Sequence, residues 1–501
     1  MNTIINLSTQ LLKKDINLKE FQLSELNEYI YPSSIHEKDG SVFFIGKADG
    51  VKSLYVINLE NGTIINEFEG EEFLEGKGKI CPLNSMNSKL IRKLFPYTAP
   101  ISHKGQFVTV GLGDRLGLAS PGHLRLAKKY NFFPVLAQQS IRELNLTGRS
   151  YPDVLNAASW AVFQEGYKDG FGADGDHLKT VEEVQYALDS GFTMITLDCS
   201  DHIDNGVYEL SEEEINKKYL SLSEETRKEL EGRYLNTSFK IDNGFELSFK
   251  EAEFRKIVLI YLETIGYTTY IYETLLKQLN DKVDFEMSID ETLYETSVES
   301  HYFVASELKE HGVKVRSLAP RFYGEFQKGI DYIGEIRRFE ENFKQHFQIA
   351  DHFGYKISVH SGSDKFSVFP IIGRITKQHL HVKTAGTNWL EALRVIADKD
   401  KAMFRELYEF GADHLKEAKR YYHIQTDISD IISLKEIGDE AIPELLNNDA
   451  VRQILHVTYG LILQEKKQDG TSLFKDRIYQ LLNVYEEEYY NALILHIGKH
   501  L

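Results

Sequence analysis

The sequence predicts an α/β fold: a (β/α)8 TIM barrel with a small N-terminal α/β region and a helical C-terminal extension. Eight short apolar runs lie between residues 96 and 398, each ending in a polar cluster and separated from the next by a helix-like stretch. Strands alternating with helices imply parallel βαβ units. The doubly wound alternative is weaker, because no GxGxxG opens a helix after a strand.

Residues 1–95 form the first region, where SVFFIGK and SLYVINL read as strands joined by Ala-Asp-Gly, with Asn-Gly following at 61–62. The eight barrel runs are QFVTVGLGDRLG, FFPVLAQQS, GFGADGDHLK, FTMITLDCSDH, VDFEMSIDET, VRSLAPRFYGEF, YKISVHSGSDKFS and HLHVKTAGT. Residues 203–255 break the spacing with a charged stretch that reads as an exposed helical insertion, and 399–501 carry helical periodicity.

Composition narrows the function classes. The 501 residues are 42% hydrophobic and 27% charged, with no apolar stretch long enough to span a bilayer. The N-terminus lacks a basic start followed by an apolar core, so a cytoplasmic protein is expected. Two cysteines, Cys81 and Cys199, without a CxxC pattern argue against a disulfide framework or a structural zinc site. A net charge of −18 without a long basic run disfavours nucleic acid as a partner. A small molecule is the expected partner; a homo-oligomer stays open.

In a barrel, residues at the C-terminal ends of the strands meet at one catalytic mouth. Run by run these are Asp114 and Arg115; Gln138 and Gln139; Asp174, Asp176, His177 and Lys179; Asp198, Asp201 and His202; Glu286, Asp290 and Glu291; Arg321 and Glu325; His360, Ser361, Asp364 and Lys365; His381 and Lys383.

The tetrapeptide Asp-His-Leu-Lys occurs twice, at 176–179 and 413–416. At 176–179 it ends a strand-like run, where an imidazole can bind a divalent metal and the adjacent carboxylate can move a proton. The bland alternative is a histidine that caps the next helix. At 413–416 it lies among helices, and Asp413 reads as an N-cap. HSGSDKFS offers His360, small residues that let backbone N–H groups approach an anion, and the charge of Lys365. Glu286 shares a strand face with Ser288, and an inward glutamate in an apolar barrel needs a partner. His381 sits early in its strand, Lys383 better placed. Cys199 reads as packing.

Together, GLGDRLG, LAQQSIRELNLTGRS, FQEGYKDGFGADGDHLK, FEMSIDET, RFYGEFQKGIDY, HSGSDKFSVFP, HVKTAGT and RQILHVTYG resemble the tagaturonate epimerase family. The resemblance implies a metal-dependent isomerase of hexuronate catabolism that interconverts D-tagaturonate and D-fructuronate at C4; some relatives act on neutral ketohexoses. A more distant likeness to class II aldolases implies His177 and His360 as metal ligands and Asp176 as proton carrier. No histidine stands in RFYGEF, and Glu325 is the expected third ligand. Zn, Mn, Ni and Co all suit such donors. Direct removal of the C4 proton is difficult, since it is β to the carbonyl, and an oxidised C4 intermediate needs a hydride acceptor for which the sequence shows no dinucleotide fingerprint; retro-aldol cleavage is therefore favoured, with Asp176 and Glu286 as acid and base. Gln139, Arg321, Ser361, Asp364, Lys365 and Lys383 are the expected substrate-binding residues. An aldolase or a non-catalytic carbohydrate-binding subunit is the rival reading.

Overall fold

The computed structural model describes residues 8–10, 24–25, 28–59, 63–104, 108–241, 244–279 and 282–500. The Asn-Gly at 61–62 and the first two residues of the first barrel run lie outside the described residues. Eight parallel strands close the predicted barrel: β1 Val108–Gly111, β2 Phe133–Gln139, β3 Gly172–Leu178, β4 Met194–Asp198, β5 Asp284–Ile289, β6 Ser317–Pro320, β7 Lys356–Val359 and β8 Leu380–Lys383. Each corresponds to one of the eight runs. Their outward Val, Ile, Leu and Phe side chains pack beneath the surrounding helices, as in Phe285 against Tyr272 of the segment that continues helix Glu251–Ile271.

The barrel interior departs from the apolar expectation. Thr109, Asp174, Thr196, Glu286, Ser317, Lys356 and His381 are all buried. Low in the barrel, Thr109 Oγ1 lies 2.7 Å from His381 Nδ1 and accepts from Lys356 Nζ at 2.9 Å. Such polar groups are tolerated inside because they satisfy one another.

The N-terminal region carries an antiparallel seven-stranded sheet and the helix Ser85–Leu94. Strands Ser41–Ala48 and Val51–Asn58 form a two-residue hairpin at Asp49-Gly50, both with positive φ, as the short turn requires. Phe43, Phe95, Trp160 and Phe163 join this sheet to barrel helix Tyr151–Glu165 in one apolar cluster.

The insertion is helical at Glu212–Leu220 and Glu224–Tyr234, as expected, but it also carries a hairpin of Ser238–Lys240 and Glu246–Ser248. It is not wholly exposed: Tyr219, Leu230 and Tyr234 join the main core. In the C-terminal extension, helix Glu486–Ile497 packs on barrel helix Thr387–Lys399. Asp413 is the last residue of helix Lys401–Asp413 and not an N-cap. His414 closes that helix, with Nδ1 on the Phe410 carbonyl at 2.8 Å. The second tetrapeptide is the junction between that helix and the short helix Leu415–Ala418. Among the described residues, no helix is long and apolar enough to cross a membrane.

Candidate active site

Consecutive residues in a regular strand face opposite ways, yet Asp176 and His177 both line the barrel mouth. A bulge solves this. The register of β3 against β4 shifts between Gly175 and Leu178, and His177 takes φ 52. Thr180 caps the next helix through a capping box with Glu183, so His177 is not needed there.

Beneath the mouth, Lys383 Nζ lies 2.7 Å from Asp176 Oδ1, 2.9 Å from Asp174 Oδ2 and 2.9 Å from Glu286 Oε1. It also donates to Thr196 Oγ1 at 2.5 Å. Glu286 is fully buried, bonded to His360 Nε2 at 2.8 Å and to the Ser317 hydroxyl. Burial pushes its pKa up, but Lys383 and the histidines hold it well below the usual range. The inward reading of Glu286 holds. Its carboxylate is outside the cavity lining and reaches it through the bond to His360.

His360 Nδ1 meets Asp290 Oδ1 at 3.1 Å, and His177 Nδ1 meets Asp176 Oδ1 at 2.8 Å. His177, Asp290 and His360 each bring one potential ligand atom within 4.8 Å of the others. Burial disfavours the charged imidazole of His177, but Asp176 outweighs it and raises the pKa to about 10. His360 is raised against burial by Asp290 and Glu286. Asp174, Asp176, Glu286, Asp290 and Glu291 surround these groups, a field that attracts a cation.

Glu325 is not in this group. Its half-exposed carboxylate lies 3.5 Å from Arg321, which also donates to the Thr292 carbonyl. Asp290 stands where Glu325 was expected. Its parity with Glu286 and Ser288 was the available signal.

A cavity opens over the cluster, lined among others by Gln138, Asp176, His177, Lys328, His360 and Ser361. An outer groove continues past Arg321. Gln138, not Gln139, faces the cavity, with Nε2 3.4 Å from Asp176 Oδ2. Alternation turns Gln139 away. A Cβ on Gly111 would lie 2.1 Å from Gln138 Oε1, so a side chain there would push the Gln138 amide out of its present position.

Three further residues expected to bind substrate, Lys365, Asp364 and Lys383, are already engaged by protein groups. Lys365 is fully buried and donates to the carbonyls of Gln327, Ile330 and Ser363 at 2.8, 2.6 and 2.9 Å, which engages all three of its N–H donors. Asp364 pairs with His496 at 2.5 Å and Arg452 at 2.8 Å, tying the C-terminal extension to the loop after β7. The amides of Gly362 and Asp364 are taken by Lys383 O and His500 Nε2, which removes them from an anion cradle. Lys383 lines the cavity, but carboxylates already engage it.

Asp201 pairs with Lys179, and His202 stacks on Tyr267 at 3.9 Å, away from the cluster. Burial raises the Cys199 thiol to about 12, against a nucleophilic role. Sequence reasoning missed Lys328, Arg142, Tyr422 and His456, which also line the cavity. The last two come from the extension, where an ideal Cβ on Gly386 would lie 1.8 Å from His456 Nε2.

A family model described as tagaturonate epimerase matches residues 31–501. A tagaturonate/fructuronate epimerase of Thermotoga maritima is 40% identical over 473 residues, covering 94% of this chain and 96% of that protein. The glycerol-complexed crystal structure of fructuronate-tagaturonate epimerase UxaE from Cohnella laeviribosi, with one glycerol, superposes with a TM-score of 0.93 at 46% identity, covering 100% of this chain and 99% of that one. Its native crystal structure gives 0.92 at 48% identity, over 95% and 96%.

Proposed function

This chain belongs to the tagaturonate epimerase family, and we propose that it interconverts D-tagaturonate and D-fructuronate by metal-dependent cleavage and re-formation of the C3–C4 bond. The observation that carries the reaction is the near-complete alignment with enzymes named for it. The mechanism rests on the chemistry of the mouth.

The donor set suits a divalent cation. Asp176 occupies one nitrogen of His177 and Glu286 one nitrogen of His360, leaving His177 Nε2 and His360 Nδ1 for a metal beside Asp290. Carboxylates behind ligating imidazoles fix their tautomer and orientation. A divalent ion held by His177, Asp290 and His360 would supply Lewis-acid stabilisation of charge developing on the substrate oxygens.

Asp176 borders the cavity, and its Oδ2 is the oxygen not engaged by Lys383 or His177. Burial opposes its charge, but Lys383 and His177 keep it ionised. It accepts the C4 hydroxyl proton as the C3–C4 bond breaks. The bonding pair passes toward the C2 carbonyl, leaving a three-carbon enediolate and a three-carbon semialdehyde bearing the carboxylate. The aldehyde presents its other face, the enediolate carbon re-adds, and Asp176 returns the proton to the C4 oxygen. Gln138 is placed to steady Asp176, and Glu286 holds His360 in orientation.

The test is conversion of D-tagaturonate by purified protein before chelation, after it, and after return of Zn, Mn, Ni or Co. Fructuronate formation that falls on chelation and returns with one of these ions supports the reading. Full activity after complete metal removal sinks the metal dependence, and net accumulation of three-carbon products would favour an aldolase.

A further inference from the structure

The C4 epimerisation proposed above leaves the substrate's C6 carboxylate without a named receptor. Lys383 is held by three carboxylates, Lys365 by three carbonyls, and Arg321 by Thr292 and Glu325 in the outer groove.

Lys328 is presented differently. Its segment is clamped on both sides: Lys365 Nζ donates to Gln327 O and Ile330 O, and Arg452 Nε donates to Gly329 O at 2.7 Å. Gln327 Oε1 accepts from the Gln425 amide at 2.7 Å and from Gln453 Nε2 at 3.1 Å. A buried ammonium is expensive, and Lys365 spends all its donors on fixing this stretch of main chain and its own loop. The clamp leaves the Lys328 side chain in the cavity, with Nζ 2.7 Å from Ser361 Oγ. Arg142 lines the same cavity from helix Ile141–Thr147, its guanidinium 5.0 Å from the ring centre of Tyr422.

We propose that Lys328 and Arg142 form the carboxylate subsite of this cavity and set its preference for a ketouronate over the neutral ketose. Burial lowers the Lys328 pKa against the pull of Glu291, and the Arg142 guanidinium lowers it further. An arriving carboxylate offsets both. Arg142 adds the planar fork suited to a carboxylate, and Lys328 a point charge. The inference rests on the epimerase reading for its substrate.

The test compares D-tagaturonate with D-tagatose, which carries an uncharged hydroxymethyl at C6, read as turnover or as competitive inhibition by the metal-loaded protein. Lys328→Gln is expected to lower kcat/KM for tagaturonate by about 10- to 100-fold, mostly through KM. The tagaturonate-to-tagatose ratio should fall about tenfold or more. Arg142→Gln should move the ratio the same way, and Lys328→Arg should recover part of the loss. Arg142 stands at the exposed rim, so its variant keeps the test decisive if Lys328→Gln fails to fold. Equal losses on both substrates, or an unchanged ratio, overturn the subsite. If wild-type protein epimerises neither sugar, the reaction reading fails separately. Calorimetric binding of tagaturonate then decides: weaker binding to both variants supports the subsite, and unchanged binding overturns it.

Discussion

Glu286 Oε1 lies 2.8 Å from His360 Nε2, joining the fifth barrel strand to the end of the seventh at a depth without solvent exposure. We propose that the carboxylate acts through the imidazole it holds. Glu286→Gln is therefore expected to weaken divalent-metal affinity by about 10- to 100-fold while the fold persists. Metal titration of the purified variant checks this, and wild-type affinity would rule out the positioning role.

Asp176 has a different consequence, because it borders the cavity. Asp176→Asn should lower kcat by about 10²- to 10⁴-fold, the usual range for a lost acid-base group. Steady-state kinetics at saturating metal separates this from poorer metal retention. An unchanged kcat would remove Asp176 from the proton path.

Lys383 joins three buried carboxylates. Without it, Asp174, Asp176 and Glu286 repel one another in a poorly solvated space. Burial already raises Asp174 to about 6 despite Lys383. Lys383→Met should destabilise the protein by about 3–5 kcal/mol, the range for a broken buried pair. Urea denaturation measures it, and adding Asp174→Asn should restore part of the loss. A loss below about 1 kcal/mol would mean the cluster relaxes into water.

His496 supplies a pH dependence away from the mouth. Burial lowers its pKa, but hydrogen bonds to Asp364 and Glu391 raise it above 6.5. A raised folded-state pKa stabilises fully below the unfolded value of about 6.5 and is lost as pH rises through the folded one. From about pH 6 to about pH 9 the wild type should lose more stability than His496→Gln. Chemical denaturation at several pH values checks this, and parallel profiles would contradict it.

The barrel was legible because all eight strands carry an outward apolar face and end in polar residues. That pattern is local, and it survives without an alignment. Facing at the strand ends was less legible. Gln138 and Gln139 differ only in parity, and the bulge at His177 broke the alternation that would have turned that ring away. Lys365 looked like an anion receptor by type, yet its position under the 327–330 segment commits it to carbonyls. Tyr422 and His456 come from the C-terminal extension, and no sequence spacing links them to the mouth. The second Asp-His-Leu-Lys was separated from the first by its helical context, although Asp413 ends a helix and does not begin one.

Tagaturonate deuterated at C4 tests the proposed bond cleavage most directly, because the C4–H bond stays intact when C3–C4 breaks. The expected result is fructuronate that keeps its deuterium at C4, formed with an isotope effect on kcat/KM close to unity. Washout of the label, or a large primary isotope effect, would contradict cleavage at C3–C4 and point to breaking of the C4–H bond itself.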